Sequence, residues 1–123
     1  MALKVLIADD ALFMRNLLKD ILEKSGFEVV AEATNGKEAV DLYREHNPDL
    51  VTMDIVMPLK SGIEALEEII KENPEARVVM CSALGQESLV LEAVQCGAKD
   101  FIVKPFKEER VVEVVSRICE QNQ

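Results

Sequence analysis

Five polar side chains end short apolar runs in this sequence: Asp9 with Asp10, Asp54, Ser82 and Lys104. Brought together, three carboxylates would repel one another until protons or a metal ion relieved them. No histidine or cysteine stands among them, so a hard cation held by oxygen is expected. Mg²⁺ suits best, since it accepts one or two carboxylates, waters and phosphate oxygens. Lys104 adds a second cation, able to pair with Asp54 or with an oxyanion built on it. Ser82 adds a hydrogen-bond donor. A nucleophile, a metal, a cation and a donor are what a phosphoryl-accepting carboxylate needs. Singly, each residue has a plainer use: an aspartate or serine after a strand commonly caps a helix or shapes a turn. Only together do they make such a site.

The pattern of the rest of the chain decides whether they do. Strands are predicted at Lys4–Ala8, Glu28–Ala33, Leu50–Met53, Val78–Cys81 and Asp100–Val103. Several are rich in Val and Ile and almost continuously apolar, as strands covered on both faces are. Helical periodicity fills the gaps. Met14, Leu17, Leu18, Ile21 and Leu22 mark the first helix, and Ala39, Val40 and Tyr43 the second. Ile63, Leu66, Ile69 and Ile70 mark the third, and Leu89, Val90, Ala93 and Val94 the fourth. Val111, Val114, Val115, Ile118 and Cys119 mark the fifth. Turn signals fall at the joints: Ser25-Gly26, Asn35-Gly36, Asn47-Pro48, Asn73-Pro74 and Gly97. The order is βα repeated five times, which predicts an α/β fold with a doubly wound, five-stranded parallel sheet between helices. In such sheets ligands sit at the carboxyl ends of the strands. Asp9-Asp10, Asp54, Ser82 and Lys104 follow the first, third, fourth and fifth strands, so all belong to that edge.

Composition narrows the possibilities. With 123 residues and 49% hydrophobic content, one domain spanning 1–123 with its own core is expected. Fourteen basic residues against 23 acidic give a net charge of -9, which argues against nucleic acid and anionic membrane surfaces as partners. No apolar run approaches the ~20 residues that span a bilayer, and no secretory signal is visible at the start. Cys81, Cys96 and Cys119 are read as reduced, buried thiols of a cytoplasmic protein.

Taken in order, Asp9-Asp10, Asp54 within Val51-Thr52-Met53-Asp54-Ile55-Val56-Met57-Pro58, Ser82-Ala83 and Lys104-Pro105-Phe106 resemble response-regulator receiver domains. The likeness runs over essentially the whole chain and implies a flavodoxin-like fold. It is greatest toward the stand-alone chemotaxis regulators, through Asp9 to Arg15, Cys81 to Gln86 and Lys99 to Phe106. The alternative is a receiver domain of a larger regulator, a methylesterase or transcription factor, without its output domain. The resemblance implies a signalling switch of a two-component system rather than a metabolic enzyme, one that catalyses its own phosphorylation and dephosphorylation. Asp54 would be the phosphoacceptor. Mg²⁺ would be held by Asp9, Asp10, Asp54 and the backbone carbonyl of Val56. Ser82 and Lys104 would hold the phosphoryl oxygens, and the Lys104–Pro105 peptide would be cis. Ser82 and Phe101 would form the switch. The implied partners are a CheA-like sensor histidine kinase as phosphodonor, a flagellar motor switch protein as output, and a possible phosphatase. A cytoplasmic monomer is expected.

Two positions depart from the commoner family pattern. Val56 and Leu84, each two residues beyond a site residue, are apolar where many relatives are polar. They should fail to orient an attacking water, which would lengthen the life of an aspartyl phosphate. Val56 also counts against an aspartate-nucleophile phosphatase or dehalogenase, which wants a carboxylate two residues after its nucleophile. A nucleotide or flavin carrier is disfavoured because neither G-x-G-x-x-G nor a Walker pattern occurs.

Overall fold

A computed structural model describes residues 2–120. The elements run β1 (Lys4–Ala8), α1 (Leu12–Lys24), β2 (Glu28–Ala33), α2 (Gly36–His46), β3 (Leu50–Asp54), α3 (Gly62–Glu72), β4 (Val78–Ser82), α4 (Glu87–Gln95), β5 (Asp100–Val103) and α5 (Glu108–Glu120). All neighbouring strands are parallel and the sheet order is β2-β1-β3-β4-β5. The order reverses between β1 and β3, so the switch point lies beside Asp9 and Asp54.

The sheet divides two apolar layers. On one face Leu6, Val51, Met53 and Met80 meet Val40 of α2 and Leu66 and Ile69 of α3. On the other Ile7, Leu50, Val79 and Ile102 meet Leu18 and Leu22 of α1 and Val114 and Ile118 of α5. β3 and β4 are buried along their whole length, which explains their unbroken apolarity.

Local chemistry sets the helix ends. Asn35 caps α2 by accepting from the Glu38 amide, and Asn47 ends it with left-handed backbone at φ 44°. Ser61 and Glu64 form a reciprocal capping box at the start of α3. Gly26 and Gly97, at φ 93° and 114°, turn the chain after α1 and α4.

Three expectations need correction. β3 and β4 each run one residue further, so Asp54 and Ser82 are the last residues of their strands rather than the first beyond them. The fourth helix buries only Ala93, and Val94 is exposed, because α4 lies lightly over the β4–β5 side of the sheet. Cys96 is only half-buried, whereas Cys81 and Cys119 are buried; all three are free thiols. Among the described residues no helix is long and apolar enough to cross a membrane.

Candidate functional site at the carboxyl edge of the sheet

The β1 and β3 ends meet through their register, Ala8 opposite Met53, which brings the residues that follow side by side. The Asp9 amide bonds to the Ala33 carbonyl at 3.0 Å, keeping the chain in line with β2 beyond the last strand residue. The Asp9 side chain turns back to accept from the Ala11 amide at 2.8 Å. That bond starts α1, which has no side-chain cap and no acid in its first turn. Asp9 and Asp54 are buried while Asp10 is exposed, and one carboxylate oxygen of each lies within 4.8 Å of the others.

Lys104 closes the group from β5. Its Nζ lies 2.9 Å from Asp9 Oδ2 and 3.2 Å from Asp54 Oδ2. Its amide donates to the Ser82 carbonyl at 2.7 Å, and the Lys104–Pro105 peptide is cis.

The electrostatics follow from three carboxylates facing one ammonium. Burial raises the Asp54 pKa above its ordinary value; Lys104 pulls it down, but the charges of Asp9 and Asp10 push it further up. Burial alone would depress Lys104. Its hydrogen bond to Asp9 and the charges of Asp54 and Asp9 outweigh that and raise it. The ammonium is therefore firmly charged and the site keeps an excess of negative charge. A small, hard divalent cation fits that donor set. Cys81, read from the sequence only as a buried thiol, stands in register with Asp54 on the same face of the sheet. Full burial pushes its pKa up to about 12, so it offers no thiolate to a metal.

The β3–α3 loop is fixed by backbone. Gly62 donates to the Ile55 carbonyl at 2.8 Å, and Gly36 donates to the Lys60 carbonyl at 2.9 Å. Lys60 also pairs with Glu68. Within this loop Val56 is exposed, and Leu59 takes left-handed backbone at φ 67°.

Ser82 reaches the same edge but stands outside the ion-paired group. Alternation along β4 puts it on the face opposite Cys81, where it lines a cavity of about 330 Å³ with Leu84, Val90, Leu91, Phe101 and Val103. Phe101 is half-buried, so it is neither a closed core residue nor a fully exposed one. Leu84 is exposed. The Ala83 amide is held by the Gln86 side chain at 2.7 Å.

One residue near the site carried no expectation. Arg15 donates from Nη1 to the Asp9 carbonyl at 2.7 Å and from Nε to Glu32 at 3.1 Å. The available signal was its position: a cation near the start of a helix runs against the helix dipole and calls for a local partner.

The family model described as response regulator receiver domain matches residues 5–116. The chain belongs to that family. It is 61% identical over 117 residues to the chemotaxis protein CheY of Bacillus subtilis, spanning 95% of this chain and 98% of that protein. CheY of Thermotoga maritima is 57% identical, spanning 96% and 98%. Among solved structures, CheY in a CheX–CheY–BeF3–Mg²⁺ complex from Borrelia burgdorferi has a TM-score of 0.90 at 42% identity, covering 94% of this chain and 88% of that one. The flavodoxin-like receiver fold is thus shared, and the chain is a response-regulator receiver domain of the CheY type.

Proposed function

We propose that residues 1–123 form one receiver domain, working as a cytoplasmic monomer, that takes a phosphoryl group on Asp54 and signals through the charge gained. The observation that carries this reading is the ion-paired group itself: a buried carboxylate at a strand end, 3.2 Å from an ammonium and within 4.8 Å of two more carboxylates. An Asp54 oxygen attacks phosphorus, the P–N bond of a phosphohistidine breaks, and the imidazole leaves with the bonding pair and takes up a proton. The donor is a sensor histidine kinase of the CheA type. Asp9, Asp10, Asp54 and the Val56 carbonyl would hold Mg²⁺, which supplies charge neutralisation for the transferring oxygens. Lys104, already charged and poised between Asp9 and Asp54, pairs with a phosphoryl oxygen. With these groups in place the domain catalyses its own phosphorylation and dephosphorylation.

Phosphorylation adds up to about two negative charges and new acceptors at Asp54. Ser82 moves toward them and out of the cavity it shares with Phe101, and the ring takes up the space. The exposed Leu91, Val94 and Val103 make the neighbouring α4–β5 surface suited to a partner, so a shift there changes affinity. Likeness to the CheY proteins supports a flagellar motor switch protein as that partner. The CheX-bound relative supports a further partner, which we propose to be a phosphatase.

Calorimetric titration with beryllofluoride and Mg²⁺ tests the site. Saturable binding that is lost in Asp54→Asn and weakened in Lys104→Met is expected. Binding that survives Asp54→Asn would overturn the assignment.

A further inference from the structure

We infer that Arg15 is a positioning residue for the metal site: its guanidinium holds the peptide joining Asp9 to Asp10 in the orientation that lets both carboxylates face one cation. The inference rests on the Mg²⁺ reading of the carboxylate group.

Asp9 is tied at three points other than Arg15: its amide to Ala33, one carboxylate oxygen to the Ala11 amide, the other to Lys104. Asp10 is different. It is exposed and has no such ties among the described residues, yet its oxygen must stay with those of Asp9 and Asp54. The direction of its side chain is set by the peptide before it, whose carbonyl oxygen is that of Asp9. Arg15 Nη1 grips that oxygen at 2.7 Å. The guanidinium is itself anchored: Nε donates to Glu32 at 3.1 Å, Lys19 shares Glu32 at 3.7 Å, and the Arg15 side chain is only 11% exposed. A planar fork that binds two acceptors in fixed directions does this where a single ammonium does not. The start of α1 has no side-chain cap to do it instead.

The sign of one measurement separates positioning from charge. By Coulomb's law alone, deleting a cation beside three carboxylates should tighten the binding of a divalent cation. Loss of positioning should weaken it. Partners that orient metal ligands from behind are typically worth at least tenfold in affinity.

Mg²⁺ alone is titrated calorimetrically into wild type, Arg15→Met and Arg15→Lys, with thermal melts run in EDTA on each. Arg15→Met is expected to bind Mg²⁺ about tenfold more weakly than wild type. Arg15→Lys keeps the charge and is expected to fall between them, because one ammonium cannot serve Glu32 and the Asp9 carbonyl together. Unchanged or tighter Mg²⁺ binding by Arg15→Met would overturn the inference, even if its melting point dropped. If Arg15→Met does not fold, Arg15→Lys decides, and wild-type affinity there refutes positioning. Failure of wild type to bind Mg²⁺ would overturn the metal reading itself, and this inference with it.

Discussion

Gly62, the first residue of α3, should not tolerate a methyl group. A Cβ there would lie 1.9 Å from the Asp54 carbonyl oxygen, 2.9 Å from its carbon and 3.0 Å from Ile55 Cα. All three are backbone atoms, so no side chain can swing aside, and relief needs more than 1 Å of movement. That movement would strain the Gly62–Ile55 hydrogen bond of 2.8 Å and shift the peptide carrying Asp54. Gly62 has no positive φ, so alanine meets no backbone penalty and even gains helix propensity, at most about 1 kcal/mol. Overpacking costs about 1–3 kcal/mol, occasionally more, and a 1.9 Å contact with backbone belongs at or beyond the top of that range. The clash wins, and Gly62→Ala should lose roughly 2–3 kcal/mol. At about 4 °C per kcal/mol for a domain of this size, the melting point should fall by roughly 10 °C. Gly26→Ala is the control: its φ of 93° is unfavourable, but nothing among the described residues lies within 4 Å of the new carbon. It should cost about 1 kcal/mol, from backbone strain alone. Circular dichroism melts of the two variants, with the yield of phosphoryl adduct on Gly62→Ala, test this. A Gly62→Ala protein that melts above Gly26→Ala and phosphorylates normally would refute the steric reasoning.

Other substitutions probe the same site. Burial and the neighbouring acids raise the Asp54 pKa, so protonation favours the fold. That contribution is present below the unfolded carboxylate pKa and disappears as pH rises through the folded value. In EDTA, Asp54→Asn should therefore melt above wild type at pH 7 and lose that advantage in acid; a lower melting point at pH 7 would contradict it. Thr52 Oγ1 is buried and finds no hydrogen-bond partner among the described residues. Thr52→Val should stabilise by about 1 kcal/mol in urea denaturation, since it removes an unsatisfied polar atom at nearly constant shape. Val56→Asn and Leu84→Glu place polar groups at exposed positions two residues beyond Asp54 and Ser82, and should speed loss of the phosphoryl group. Unchanged decay rates would rule out the long-lived phosphate.

Much of this was legible in the sequence because period and punctuation agreed. The β1, β2 and β5 limits follow from apolar runs closed by turn residues. Asp54 and Ser82 extend their strands by one residue because neighbouring backbone pairs with them, Asp54 opposite Cys81 and Ser82 opposite Val103. Polarity at those positions hid the pairing. The α4 face misled for a different reason. Its apolar spacing is that of a buried helix, but only Ala93 is fully buried, Leu89 and Val90 are half-buried and Val94 is exposed. Periodicity marks an apolar face without saying what covers it. The convergence of Asp9, Asp54 and Lys104 followed from strand ends alone, whereas the grip of Arg15 on the Asp9 carbonyl could not. That contact depends on a long side chain reaching back across a turn, with an anchor supplied by β2.

Incubation with acetyl phosphate and Mg²⁺, followed by intact mass, tests the phosphoacceptor reading most directly. One phosphoryl adduct, absent in Asp54→Asn and absent in EDTA, is the expected result. A folded, Mg²⁺-binding protein that gains no adduct, or gains one without Asp54, would contradict it.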